Sequence, residues 1–207
     1  MKQIEKYELE KKSKFSFMYK FLFLLFFIFS NSLKAQQIPL SHEKLHQQPT
    51  FYSLEDALKV PLNVYILDLS EQNLDSLSSE ISKLKNLQEL SLYKNNLKTL
   101  PKELWELKNL EELALEDNLF EKLPAEIGLL RNLDMLYVGS NRLTELPEEL
   151  GNLKRLSFLG AHNNQLTTLP KTLIDTELVI LYVPNNLFSE ADKKAIRQLF
   201  PQCDIDF

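Results

Sequence analysis

The sequence predicts an α/β solenoid in which short parallel strands stack side by side along one face and a helix closes each end. Three observations predict it. One apolar pattern recurs every 23 residues across residues 64–188, and a fixed period of that length marks a stack of small structural units. Within each unit two apolar positions flank a variable one, which is how a half-buried strand alternates. Helix-start residues stand on both sides of the repeats, at Ser53 and Ser189, as an open stack with two ends to cover requires.

The first segment is set apart by its charge. Residues 1–35 carry seven lysines and three glutamates, so the remaining chain holds 17 basic against 26 acidic side chains, a net of −9. The basic stretch leads into Phe21–Phe29, nine apolar residues without a break. A bilayer span needs roughly 20 such residues, so this run suits the apolar core of a secretory signal peptide instead. Ser32-Leu33-Lys34-Ala35 offers a small residue before a cut at Gln36, although Leu33 is larger than the residue preferred there, which leaves the bond itself open. Two starts fit this signal, Met1 and Met18, and the more regular one begins at Met18 because Glu5, Glu8 and Glu10 interrupt the usual basic lead. The protein is therefore expected to be secreted, periplasmic or on the cell surface, with no stable membrane span after cleavage. Residues 36–51, rich in Gln and with two prolines, read as a flexible linker.

Residues 52–63 read as an N-terminal helical cap, with Ser53 as N-cap, Asp56 three residues on, and Leu54 and Leu58 facing inward. The repeats follow. Leu87, Leu90, Leu92, Asn95, Leu97, Leu100, Pro101, Leu104 and Leu107 define one unit, and a shift of 23 gives Leu110, Leu113, Leu115, Asn118, Phe120, Leu123, Pro124, Ile127 and Leu130. The pattern continues through Asn141 and Pro147 and through Asn164 and Pro170, and starts a partial sixth unit at Leu178 that reaches Asn186 and Phe188. An earlier unit from Val64 to Leu84 has Gln72 in place of the Asn and Ser78 in place of the Pro, as suits a terminal unit. Residues 189–207 read as the C-terminal cap: a helix from Ser189 to Leu199, then a strand in which Cys203, Ile205 and Phe207 face the core.

These residues closely resemble the leucine-rich repeat family, with its L-x-x-L-x-L-x-x-N-x-L core and Leu-Pro second half. The resemblance implies a horseshoe with parallel strands on the concave face. It also implies a structural role for the row Asn95, Asn118, Asn141, Asn164 and Asn186, whose amides satisfy backbone groups where the chain leaves each strand. The proline row breaks regular helix on the convex side and predicts short 3₁₀ turns there. The repeat length resembles that of Ras-binding scaffolds and of bacterial surface or secreted proteins.

Little in the chain suggests catalysis. There is no G-x-S-x-G, H-E-x-x-H or G-K-[ST] motif, one cysteine, three histidines and only four glycines, so no catalytic set, metal or cofactor is expected. The acidic body argues against a nucleic-acid partner. Function is expected at the variable strand positions, which fall in rows across the units. One row is Ile66, Glu89, Glu112, Met135, Phe158 and Ile180; the next contains Tyr137 and Tyr182; a third contains Tyr93, Glu116 and His162. Tyr93, Glu112, Glu116, Met135, Tyr137, Phe158, His162, Ile180 and Tyr182 are the expected contacts to a protein partner with a basic and apolar segment. Tyr52 and Trp105 are expected off this face, Trp105 on the convex side. The leading reading is an exported, non-catalytic binding module. Its rivals are an intracellular scaffold of the small-GTPase-binding type and a structural or adhesive surface protein.

Overall fold

The computed structural model describes residues 39–207. The export signal expected over 1–35 and the first linker residues lie outside the described residues. Eight strands form one parallel sheet in chain order: β1 (Thr50–Phe51), β2 (Ile66–Asp68), β3 (Glu89–Ser91), β4 (Glu112–Ala114), β5 (Met135–Tyr137), β6 (Phe158–Gly160), β7 (Ile180–Tyr182) and β8 (Asp204–Asp206). Each middle strand is three residues long because only its central leucine and the apolar residue after the strand need to point inward. Leu67, Leu90, Leu113, Leu136, Leu159 and Leu181 are buried in a continuous core that runs the length of the stack.

The chain leaves each strand through a residue with positive φ, and the positions keep phase: Lys94, Asp117, Ser140, Asn163 and Asn185 each precede an asparagine of the structural row. That sharp turn points backbone groups inward, and the asparagine receives them. Asn118 Nδ2 donates to Leu92 O at 2.8 Å and Leu115 O at 3.1 Å, while its Oδ1 accepts from Leu97 N at 2.9 Å. Asn141 and Asn164 repeat the arrangement one and two units on, and half-buried Asn186 ends it by accepting from Leu166 N. Each amide thus joins two neighbouring units, which couples their stability.

On the return side, Pro101, Pro124, Pro147 and Pro170 each stand just before a five-residue 3₁₀ turn. Proline has the φ this entry needs and no N–H to leave unpaired. Trp105 lies in the first of these turns and is buried against the core, so it presents no convex surface to a partner.

The ends are closed by strands as well as helices. At the start, Ser53 Oγ accepts from Asp56 N to begin the helix α2 (Leu54–Ala57), and Ala57 is fully buried. At the far end, Ser189 and Asp192 form a reciprocal capping box on α3 (Glu190–Leu199), which buries Ile196 on the last unit. β8 then pairs with β7, and the Phe207 ring meets Phe188 edge-on at 5.9 Å. Cys203, Ile205 and Phe207 are each half-buried and pack against the core, alternating with exposed Asp204 and Asp206 as the sequence pattern predicts.

The linker expected over 36–51 is structured from Pro39 onward. It contains a short helix, α1 (His42–Leu45), with Leu45 buried, and the strand β1, which pairs in parallel with β2. Its polar composition hides this. β1 is held by backbone hydrogen bonds to the otherwise open edge of β2, which do not demand apolar side chains. The rest of the segment is held by a side chain far along the sequence, as described below.

Candidate protein-binding face

The strand register sets the face. Glu89, Glu112, Met135, Phe158 and Ile180 stand directly opposite one another across β3 to β7, and Ser91, Ala114, Tyr137, Gly160 and Tyr182 form the neighbouring row. Tyr93, Glu116 and His162 follow at the strand exits. The register therefore gathers all nine expected contacts on one face, acidic towards the first units and aromatic towards the last.

The aromatic residues lie against the sheet. Tyr137 and Phe158 stack with ring centroids 4.8 Å apart, and His162 and Tyr182 at 5.1 Å. Two glycines make room. A Cβ at Gly139 would run into the His162 ring, and one at Gly160 would sit 3.0 Å from Phe158 Cε1. In consequence Tyr137, Phe158, Met135 and His162 are half-buried, whereas Ile180 and Tyr182 are 42% and 38% exposed. These side chains are thus partly packed against one another and the sheet, which restricts their rotamers.

The acidic part is electrostatically loaded. Burial pushes the Glu112 carboxyl above its usual range, and Glu89 and Asp134 push it further, with His42 opposing. Glu116 is raised by burial and by Asp117, with His162 opposing. Burial and then the charges of Glu112, Glu116 and Asp134 also raise the Tyr137 phenol. A hydrogen bond to Asp117 raises that of Tyr93. Among the described residues no lysine or arginine pairs with Glu89, Glu112, Glu116 or Asp134. His162 Nδ1 lies 4.0 Å from Glu116 Oε1 and is buried with no hydrogen-bond partner among the described residues.

Three features of this face escape the repeat pattern. Tyr52 is not off the face: it is 67% exposed and borders the shallow groove formed by β1 to β4. Asp134 and Ser157, which precede β5 and β6, hydrogen-bond each other at the strand entries. Gln88, in the same column before β3, is fully buried. The one sequence signal for this column is a polar residue standing between two core positions in successive units (Gln88, Glu111, Asp134, Ser157).

Among the described residues no helix is long and apolar enough to cross a membrane, and no group of three or more His, Cys, Asp or Glu side chains is placed to hold a metal ion. No curated protein sequence matches the chain. Solved structures do. A leucine-rich repeat protein of Leptospira interrogans is 43% identical with a TM-score of 0.62, over 69% of this chain and 36% of that one. Internalin C2 of Listeria monocytogenes is 26% identical with a TM-score of 0.56, over 63% of this chain and 56% of the internalin. The plant peptide hormone receptor RGFR1, in complex with RGF2, is 32% identical with a TM-score of 0.55, over 67% of this chain and 27% of the receptor. The chain therefore spans between about a quarter and somewhat over half of these proteins. The family model described as "Leucine rich repeat" matches residues 63–120 and 108–166, in the same phase as the buried leucines and the asparagine row, and the chain belongs to the leucine-rich repeat family.

Proposed function

We propose that this chain is an exported protein-binding module that engages a partner protein on its concave face, with the aromatic end as anchor and the acidic end as guide, and that it performs no catalysis. The observation that carries this reading is the packed set of Tyr137, Phe158, His162 and Tyr182 beside carboxylates that have no lysine or arginine partner among the described residues. Packed aromatics on an open face are typical binding anchors, and unpaired charges of one sign steer a partner of the other. The plant receptor described above is a relative of this fold in complex with RGF2. The basic and apolar start of the chain supports export.

The test is affinity capture from the growth medium and envelope fraction. Phe158→Ala with Tyr182→Ala should weaken partner capture strongly, since loss of such an anchor costs at least about 2 kcal/mol. Arg131→Ala, on an exposed residue away from the strands, should leave capture unchanged. Capture that survives the first pair and is lost with the second puts the surface on the wrong side. A full-length product confined to the cytosol contradicts export and favours the scaffold reading.

A further inference from the structure

The acidic end of the concave face already holds a peptide, and it belongs to this chain. Gln88, fully buried in front of β3, uses both ends of its side-chain amide on one residue: Oε1 accepts from Leu40 N at 2.6 Å and Nε2 donates to Leu40 O at 3.0 Å. That pairing is how one strand residue recognises another, here made by a side chain, and it reads backbone and not sequence. Gln88 O also accepts from Glu112 N at 2.9 Å, which sets the clamp beside Glu112, and His42, two residues after the clamped Leu40, acts on that carboxyl in the direction of a nearby cation. Three residues beyond that, Leu45 is 2% exposed although it lies outside the main repeat core. Residues 39–46 therefore run into one helical turn, with a backbone clamp at Leu40, a histidine two residues on whose ring lies 4.3 Å from that of His46, and a buried leucine. The match is imperfect in one respect. Glu89, Glu112 and Asp134 have no lysine or arginine partner among the described residues, and the tethered segment brings only a histidine towards them.

We propose that the entry side of the concave face, from Gln88 to Asp134, is a receptor subsite for an extended peptide of the partner that carries a lysine or arginine two residues after the clamped one, and that residues 39–46 are its intramolecular stand-in. The proposal rests on the reading of the concave face as the partner-binding surface. Charge complementarity selects this occupant: the subsite supplies a backbone clamp and carboxylates but, among the described residues, no lysine or arginine to pair with them. The tethered segment keeps the buried Gln88 amide satisfied until the partner displaces it. Because the stand-in is attached, its effective concentration is about millimolar, and a competitor must exceed that threshold.

The experiment follows hydrogen exchange at the Leu40 amide in the isotope-labelled full chain while an unlabelled octapeptide with the sequence of residues 39–46 is added, either unaltered or with H42R. The H42R peptide should displace the tethered segment and speed Leu40 exchange at about a fivefold lower concentration than the unaltered peptide, the factor that about 1 kcal/mol of added ion pairing supplies. In the Glu112→Gln chain, where the half-buried carboxylate becomes an isosteric amide, the two peptides should act at the same concentration. Leu40 exchange that neither peptide changes at about 10 mM, well above the tethered concentration, overturns the proposal. So does an equal effect of both peptides on the parent chain, or an arginine advantage that survives Glu112→Gln. These results are separable from the broader reading: partner capture that still depends on Phe158 and Tyr182 would leave that reading standing while the subsite fell.

Discussion

Asn95→Ala should destabilise the protein more than Asn118→Ala, although both change the same position of the repeat. The difference follows from which backbone groups each asparagine serves alone. Leu92 O accepts from Asn118 and also from Asn95 at 3.0 Å, and Leu115 O accepts from Asn118 and also from Asn141 at 2.9 Å. Removing Asn118 therefore leaves both carbonyls with a partner and strands one buried donor, the Leu97 N–H. A single stranded group of this kind costs about 1–3 kcal/mol. Asn95 stands next to the unit in which Gln72 replaces the asparagine, so no second amide supports it on that side. Among the described residues it is the partner of Leu69 O at 2.9 Å and of Leu74 N at 2.9 Å, and it also receives the more exposed Gln72 N. Its removal strands one donor and one buried acceptor, and the second group should add about 1–3 kcal/mol to the first. Urea unfolding followed by circular dichroism measures both variants against the parent chain. If Asn118→Ala cost as much as Asn95→Ala, the double service of the inner carbonyls would carry no energy and the reasoning would fail.

Three further outcomes are expected. Folded-state pKa values of Glu112 and Glu116 are raised, chiefly by burial, so the native state holds protons that the unfolded chain has released; stability should fall as pH rises from the ordinary carboxylate range through the raised values, and Glu112→Gln with Glu116→Gln should raise the neutral-pH melting temperature and flatten that slope, whereas an unchanged slope would contradict the burial argument. Gly151→Ala puts a Cβ 2.5 Å from the Thr172 carbonyl oxygen and should cost about 1–3 kcal/mol, while Gly139→Ala meets the His162 ring, a side chain that can turn aside at the expense of its contact with Tyr182, and should cost less than Gly151→Ala, as calorimetry of the two variants would show. Deleting residues 202–207 removes β8 and the Phe207 contact, leaves the β7 edge open, and should give oligomers in light scattering; a monodisperse truncation of equal stability would make the terminal strand dispensable.

The core could be read from the sequence because each unit solves the same packing problem in the same phase. Leu90, Leu113, Leu136 and Leu159 share one strand position, and a period of 23 leaves no freedom in which side chains point inward or which variable residues line up across the sheet. That is why the rows containing Glu112, Met135, Phe158 and Tyr182 could be written down without coordinates. Their exposure could not. Phe158 and Tyr137 are half-buried because they lie on each other and beside Gly160, a contact set by two strands side by side and not by either repeat alone. Residues 39–51 were illegible for a related reason. Nothing local orders a Gln-rich stretch, and its order comes from Gln88, 48 positions from Leu40, and from the backbone edge of β2. Patterns that repeat along the chain report burial, because every unit must bury the same atoms. Contacts that occur once, such as the Gln88 amide on Leu40 or His162 above Gly139, depend on which distant residues the finished stack brings together, and only the tertiary structure decides those.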